Sequence, residues 1–204
     1  PKVIYDENSK SETGDFLKTA NMSGNVLLAH LNESSGTSFA DSSGNGNQGT
    51  CPGATCPALG ITGKFFNGAD FEKSVGEYIN FSNPSELNSY GNQLTLEAWI
   101  KLESLPGNSQ DPTIIDKDFA ASYSLYIEGQ GDFLEATLVN SSNIPQTVTG
   151  SVVYSTNNWY HAAFTYNGSQ IRLYTNGVLD GTPVAHFGNV NTSTKNSLVG
   201  SGWN

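Results

Sequence analysis

The sequence predicts an all-β protein built as a two-sheet antiparallel β-sandwich. The chain of 204 residues contains 22 glycines, 9 tyrosines and 10 phenylalanines, and only 14% of its residues are charged. This composition favours short strands and turns, because helical proteins are richer in Ala, Leu, Glu and Lys. Apolar and polar residues alternate in about ten short runs, and two Asn-Gly pairs between such runs predict tight antiparallel hairpins.

A single domain is expected from the length, because 204 residues lie within the range of one all-β domain. Residues 1–24 contain few large apolar side chains and have no clear period, so we expect a linker or an arm. The domain itself is expected to cover residues 25–204. No run approaches the length of apolar sequence that spans a bilayer, so we predict no membrane insertion.

The strands are predicted from runs of period two bounded by Gly, Asn, Ser or Pro. The clearest run is 94–102, where apolar side chains occupy every second position and predict one core-facing side. Asn167 and Asn176 are each followed by Gly, the pair that best tolerates the positive φ angles of a type I′ turn. The predicted strands are 25–31, 63–71, 77–82, 94–102, 112–117, 122–128, 132–139, 146–153, 159–166 and 170–175.

The charge distribution disfavours two classes of partner. The chain has 19 acidic and 9 basic residues, a formal net charge of −10, and no run of Lys or Arg. Nucleic acids and anionic membranes would be repelled by this field. Asp116 and Asp118 lie two residues apart near a strand end, and we interpret them as solvated surface, with an acid pair as the less favoured alternative.

The two cysteines predict a disulfide. Cys51 and Cys56 enclose Pro-Gly-Ala-Thr, a turn that can bring the two Cα atoms within bonding reach. A redox-active pair would normally be spaced two apart, and a zinc site would need two more ligands nearby. Because disulfides persist in oxidising compartments, we expect an extracellular, cell-surface or periplasmic protein.

Four blocks of the sequence form a recognisable series in this order: 27–50, 63–72 with 77–81, 94–102, and 157–181. Together they resemble the laminin G-like domains of the concanavalin A-like lectin and glucanase superfamily. The resemblance is closest to the bacterial and archaeal branch of secreted and cell-surface proteins, and it covers roughly Asn25 to Trp203. It implies a jelly-roll β-sandwich, frequently with calcium, that binds carbohydrate or protein and serves in cell adhesion.

The end of the sequence departs from the family pattern. Family members continue after a stretch like 197–204 into one more strand, so the resemblance implies a domain lacking its last strand. A sheet edge without its neighbour exposes unpaired N–H and C=O groups. A chain cut short before that strand is the favoured explanation, and the alternative is completion of the edge by another segment or by another chain.

The loop that begins at Asp41 is the candidate metal site. Asp41, Ser43 and Asn45 match the first, third and fifth positions of a D-x-[DN]-x-[DN]-G calcium loop, with Ser in place of the usual acid or amide, and the twelfth position is Pro52 instead of Glu. In the resembled family this loop is a calcium candidate. We predict one calcium ion held by Asp41, Ser43, Asn45 and Asn47 with backbone carbonyls; the alternative is an Asx-turn in which Asp41 satisfies backbone donors.

Catalysis is not expected from the sequence. Glycoside hydrolysis uses two carboxyl groups about 5 to 10 Å apart. The Glu-x-Asp-x-x-Glu strand of the glucanase relatives has no match here, and Glu97 and Glu103 would lie about 20 Å apart on an extended strand. The histidines have no metal-binding spacing, and His161 is interpreted as a strand residue with a satisfied hydrogen bond.

These observations predict a non-catalytic extracellular module for binding or adhesion, with a glycan or an extracellular protein as ligand. Sugars stack on aromatic rings and bond to polar groups at their edges. The alternatives are a structural spacer or tip domain of a larger surface protein or appendage and, less favoured, a glycoside hydrolase. The candidate ligand-binding residues are Trp99, Tyr166 and Tyr174.

Overall fold

The structure, a computed structural model, describes residues 24–72, 74–107 and 111–201. The linker or arm predicted for residues 1–24 therefore lies outside the described residues, except for Gly24. The described part contains fourteen strands, two one-turn 3-10 helices and no α-helix. The strands are β1 Ser38–Phe39, β2 Gly49–Thr50, β3 Ala58–Thr62, β4 Asn67–Asp70, β5 Ile79–Asn80, β6 Leu94–Lys101, β7 Thr113–Lys117, β8 Tyr123–Glu128, β9 Phe133–Val139, β10 Pro145–Val153, β11 Trp159–Tyr166, β12 Gln170–Thr175, β13 Val178–Ala185 and β14 Leu198–Val199.

The strands form two main sheets, and the predicted all-β sandwich is confirmed. The larger sheet has the order β1-β2-β5-β14-β7-β8-β9-β10, and the smaller one has the order β13-β12-β11-β6. A separate hairpin consists of β3 and β4, and all strand pairs are antiparallel. No helix in the described part of the chain is long and apolar enough to cross a membrane.

The main core lies between the facing sides of the two sheets. Alternation along each strand places one set of side chains inward, as a pleated strand requires. From the larger sheet come side chains such as Leu125 and Leu138, and from the smaller one Phe164 and Leu173, all without exposed surface. Leu94 at the start of β6 is buried, but the other inward residues of this strand, Leu96, Ala98 and Ile100, are only partly buried, although they pack on the same core. In the described residues β6 pairs with β11 alone, so its other side is open.

A buried carboxylate joins β13 of the small sheet to β10 of the large one. Asp180 is 2% exposed, and its Oδ1 accepts the backbone N–H groups of Ser151 and Val152 at 2.6 and 3.0 Å. These two residues lie where the pairing of β10 with β9 shifts register. Its Oδ2 accepts the hydroxyl of Thr175 at 2.7 Å. The backbone N–H groups in the irregular part of β10 are therefore bonded by a side chain of β13 instead of by β9.

The prediction of a strand at residues 25–31 is wrong. Residues 25–31 form no strand, although Val26 and Leu31 pack on a second apolar cluster around Phe39 and Phe81. A strand needs a neighbouring backbone to bond to. Here Ser42 donates its N–H to the carbonyl of Leu28 at 2.8 Å. Side chains of the same loop, from Asp41 to Asn47, bond to other backbone groups of the segment.

Two other predictions need correction. The expected strand 63–71 is instead the second half of a hairpin, because the N–H of Gly63 bonds to the carbonyl of Phe66 at 3.0 Å and reverses the chain between β3 and β4. The expected strand 77–82 shrinks to the two residues of β5. The alternation that predicted both runs is real, but most of these positions lack a neighbouring strand.

Candidate ligand-binding site

The outward side of the small sheet carries a group of aromatic and basic side chains. Because the apolar residues of β6 point inward, Glu97, Trp99 and Lys101 point outward. The register with β11 places Trp99 opposite His161 and Lys101 opposite Trp159. The aromatic face is defined here as Glu97, Trp99, Lys101, Trp159, His161, Arg172 and Tyr174, with Lys64 and Phe65 above it.

Trp99 lies at the centre of the contacts on this face. The Nζ of Lys64, an exposed side chain in the β3–β4 turn, lies 4.8 Å from the indole centroid. The ring of Phe65 meets the indole edge-on at 5.7 Å, and the ring of His161 lies at 5.3 Å. His161 also reaches Glu97, with Nε2 and Oε2 separated by 3.6 Å. At 3.6 Å this contact is longer than a hydrogen bond, so the satisfied hydrogen bond expected for His161 stays a prediction.

Tyr174 belongs to the same face as Trp99. It lies opposite Ala163, which in turn lies opposite Glu97, so a small side chain separates the tyrosine from the carboxylate. Trp99 and Tyr174 stand on strands that are two positions apart, which corresponds to about 10 Å across the sheet. Arg172 lies on the same side of β12, and its guanidinium donates to Oε1 of Gln170 at 2.5 Å.

Tyr166, the third predicted ligand-binding residue, is separate from this face. It is 3% exposed, packs in the main core and donates its hydroxyl to the carbonyl of Gly188 at 2.6 Å. Burial raises the pKa of its hydroxyl. A ring packed in the core has no free side on which a sugar can stack, so Tyr166 contributes to stability.

The predicted calcium loop brings Asp41, Ser43, Asn45 and Asn47 together, but it does so through hydrogen bonds. Oδ1 of Asp41 accepts the N–H groups of Leu28 at 3.0 Å and Ser43 at 2.8 Å, and Oδ2 accepts the N–H of Asn47 at 2.8 Å. The hydroxyl of Ser43 also donates to Oδ2 at 2.8 Å. Burial acts to raise the pKa of Asp41, but these hydrogen bonds outweigh it, and the pKa lies below its usual value.

The amides of the loop bind the preceding segment. Nδ2 of Asn47 donates to the carbonyl of Val26 at 2.7 Å, and Nδ2 of Asn45 donates to the carbonyl of Asn25 at 2.9 Å. The loop thus replaces the sheet neighbour that residues 25–28 lack. This arrangement does not fit a bound cation as it stands, because the carboxylate already faces donors. Calcium here remains a prediction, and it requires Asp41 to exchange N–H groups for the ion.

The predicted disulfide is present. Cys51 and Cys56 are bonded, with their Cα atoms 5.0 Å apart, and the intervening residues form a 3-10 turn, Gly53–Thr55. Cys51 directly follows β2, and its N–H bonds to the carbonyl of Thr37 at 3.0 Å. The cross-link therefore ties the exit of the Asp41 loop to the second apolar cluster, where both cysteines pack.

A cluster of acids was not expected from the sequence. Carboxylate oxygens of Asp70, Glu72 and Glu103 lie within 4.8 Å of one another, and both glutamates are exposed. Asp70 ends β4, and Glu103 follows β6, so the hairpin brings together residues that lie thirty positions apart in sequence. These three groups could hold a metal ion.

The interpretation of Asp116 and Asp118 as solvated surface is wrong for Asp116, and the lysine between them is buried as well. Asp116 and Lys117 are both fully buried. Nζ of Lys117 donates to Oδ1 of Asn83 at 2.5 Å and to the carbonyl of Lys195 at 3.1 Å. Burial lowers the pKa of Lys117 to about 8, against an opposing effect of the Asp118 charge. Sequence alone hides this site because the acceptors come from distant loops.

Several residues of the aromatic face were missed. Trp159, His161 and Arg172 are not among the sequence-predicted ligand-binding residues, although the strand pairing and alternation that place them on this face can be predicted from the sequence. The Asn-Gly turn at Asn167 fixes how β11 pairs with β12, and alternation then assigns Arg172 and Tyr174 to one side. The contribution of Lys64 and Phe65 was not accessible in this way, because their hairpin is not hydrogen-bonded to the sheet.

Comparison with known proteins identifies relatives of this fold. Residues 73–204 match the Laminin_G_3 family model, described as concanavalin A-like lectin/glucanases superfamily. No curated protein has a significant match. A similar structure is domain 4 of AbnA, a GH43 extracellular arabinanase from Geobacillus stearothermophilus, in complex with arabinotriose. It is 23% identical, with 80% of this chain and 78% of that chain covered and a TM-score of 0.55.

Two toxin domains are also similar. The receptor binding domain of botulinum neurotoxin mosaic serotype C/D is 20% identical, with 86% of this chain and 42% of that chain covered and a TM-score of 0.61. The binding domain of botulinum neurotoxin DC, in complex with SialylT, is 18% identical, with 90% and 49% covered and a TM-score of 0.54. The chain thus spans less than half of these two toxin domains. At such identities the likeness shows the fold alone.

Proposed function

Because the chain belongs to the laminin G-like (Laminin_G_3) family of the concanavalin A-like lectin and glucanase superfamily, we propose that it is a non-catalytic extracellular module that binds glycans. The observation that carries the proposal is the aromatic face. Trp99 and Tyr174 stand two strands apart and two residues apart along the strands, so their Cα atoms lie about 12 Å apart, and Glu97, His161 and Arg172 supply polar groups around them. Stacking surfaces bordered by hydrogen-bonding groups are what sugar recognition requires.

The charges on this face favour an acidic glycan. Lys64, Lys101 and Arg172 are three of the 9 basic residues in a chain of net charge −10, and Glu97 is the one acid in the set that defines the face. Lys64 and Lys101 each lie over an indole, at 4.8 and 5.5 Å from the ring centroids. A sugar carboxylate placed at Trp99 would therefore meet an amine. Such pairing weakens with salt, because exposed charges are screened.

Binding is tested by calorimetry with a sialylated oligosaccharide and with neutral arabinotriose, the two ligand classes found with similar folds. We expect the acidic sugar to bind more tightly at low salt and to lose affinity as salt is added. Tyr174→Ala should weaken binding. Phe119→Ala, which removes an exposed ring from the turn between β7 and β8, is the matched control and should bind normally. Equal affinities of the wild type and Tyr174→Ala would refute this location.

An extracellular or cell-surface location accompanies this proposal. The Cys51–Cys56 disulfide supports it, because disulfides are rare in reducing compartments. The arabinanase with a similar domain is described as extracellular. Secretion with an intact cross-link is measured by labelling free thiols after expression in a secreting host, and we expect none to react.

A hydrolase remains the alternative that a specific observation favours. The oxygens of Glu72 and Glu103 lie within 4.8 Å, near the separation of about 5 to 5.5 Å used by retaining glycosidases. Release of reducing sugar in proportion to protein, abolished by Glu103→Gln, would support this alternative. Unchanged substrate would support a binding module.

Strand completion is the second proposed interaction. The open edge of β6 presents backbone groups that pair with nothing described, and its inward residues after Leu94 are only partly buried. We infer that a further strand, from another segment or another chain, pairs there in an adhesin or appendage. Hydrogen exchange provides the measurement: the edge-facing amides of β6 should exchange much faster than those facing β11, and association should protect them.

A further inference from the structure

A buried lysine amine lies against a side-chain amide at one end of the large sheet. Lys117 ends β7 and has no exposed surface, and the two recorded acceptors of its Nζ, Oδ1 of Asn83 and the carbonyl of Lys195, are both uncharged. Burial lowers the pKa of Lys117 to about 8, with the Asp118 charge acting in the opposite direction, so roughly a tenth of the amine is neutral at about pH 7. A neutral lysine amine is a nucleophile.

The amide of Asn83 is fixed for attack by its neighbours. Nδ2 of Asn88 donates to its Oδ1 at 2.9 Å, while its own Nδ2 donates to the carbonyl of Ser193 at 3.2 Å. Asn88 is itself fastened, because its Oδ1 accepts the N–H of Ser193 at 3.2 Å. A donor on the carbonyl oxygen stabilises the negative charge that develops there when a nucleophile adds to the carbon.

We propose that Lys117 and Asn83 form an intramolecular amide cross-link. Nζ of Lys117 adds to Cγ of Asn83, the Nζ–Cγ bond forms, and the Cγ–Nδ2 bond breaks. One proton passes from Nζ to Nδ2, and ammonia leaves. The oxidation state of every atom is unchanged, and no second reactant is consumed. The product is a secondary amide that keeps Oδ1 on the donor of Asn88.

The bond would lie in a position where it matters for the fold. Asn83 follows β5, Lys117 ends β7, and β14 lies between these two strands in the sheet. The link would therefore join the two neighbours of the last described strand and enclose β6 within a covalent loop. Unlike the Cys51–Cys56 bridge, it would survive reduction.

Mass spectrometry of the full chain under reducing conditions tests the proposal. We expect the wild-type mass to be lower than the sequence mass by one ammonia molecule. Trypsin cleaves after Lys and Arg, so it should release peptide 74–101 joined to 102–172, with Lys117 uncleaved. Lys117→Arg should show the full mass and separate peptides. Lys64→Arg, which changes an exposed lysine, is the matched control and should keep the link.

The peptide map also excludes the main competing reaction. An Asn-Gly pair such as Asn45-Gly46 can lose ammonia by cyclising on its own backbone. That reaction leaves peptides 74–101 and 102–117 separate. A full wild-type mass, or a loss of ammonia without the joined peptides, would overturn the proposal. The intact mass and the peptide map are both measured on the wild-type chain, so they test the cross-link even if a variant fails to fold.

Discussion

Replacement of Asp41 by Ala should destabilise the protein without any metal being involved. The carboxylate accepts backbone N–H groups from Leu28, Ser43 and Asn47 at 2.8 to 3.0 Å. A hydrogen bond to a charged group contributes about 1.5 to 3 kcal/mol. The side chain is only partly buried, so water replaces part of each bond, and we take about 1 kcal/mol for each N–H. The expected loss is about 3 kcal/mol.

Asp41→Asn separates charge from geometry. Its single acceptor oxygen can keep the N–H groups of Leu28 and Ser43 but must release that of Asn47, so we expect a loss of about 1 to 2 kcal/mol. Urea unfolding followed by tryptophan fluorescence measures both variants. Glu86→Ala, a change at an exposed carboxylate, is the control and should unfold as the wild type does. If Asp41→Ala unfolds at the same urea concentration as the wild type, the proposed stabilisation by the Asp41 hydrogen bonds is refuted.

The same measurement decides the role of calcium and of pH. If the hydrogen bonds alone hold the loop, excess chelator leaves the wild-type midpoint unchanged; a drop that Asp41→Ala abolishes would establish the predicted ion. The folded pKa of Asp41 lies below its ordinary value of 3.8. Its contribution to stability is therefore fully present above pH 3.8 and is lost as the pH falls through the folded pKa. The difference between wild type and Asp41→Ala should shrink in that window.

Three further outcomes are expected. Trp99→Ala should weaken glycan binding about two- to tenfold in calorimetry, because a stacking contact contributes about 0.5 to 1.5 kcal/mol; unchanged affinity would exclude the indole from the site. Asp180→Ala should lower the free energy of unfolding by about 3 kcal/mol, at about 1 kcal/mol for each bond, since the N–H groups of Ser151 and Val152 and the buried hydroxyl of Thr175 lose their acceptor. A loss below 1 kcal/mol, measured in urea, would contradict that role. Cys51→Ser with Cys56→Ser should cost about 2 kcal/mol, because the closed loop is short; unfolding with and without reductant gives the same quantity for the wild type.

The sequence predicts best where structure depends on near neighbours. Asn176 and Gly177 have φ angles of 53° and 79°, as the type I′ turn requires, and the strands on either side pair as expected. Alternation likewise assigns the two sides of β6. Trp99 and Tyr174 could be selected as aromatic, but their common face follows only from the pairing register of three strands.

Prediction fails where a residue takes its partners from far along the chain. Residues 25–31 alternate like a strand, yet their backbone is bound by loop side chains and not by a neighbouring strand. Lys117 looks solvated beside two acids, but its acceptors lie 34 and 78 residues away. Burial of a polar group is decided by such partners, and a single sequence does not display them.

The twist of the small sheet limits which glycans can touch both rings of the aromatic face. Adjacent strands rotate by about 20 to 25°, so the surfaces at β6 and β12, two steps apart, are turned by roughly 40 to 50°. A flat crystalline polymer that lies against Trp99 would therefore lift away before it reaches Tyr174. If the aromatic face binds glycans as proposed, a single dissolved chain that coils along its length can follow this rotation, whereas a solid polymer cannot.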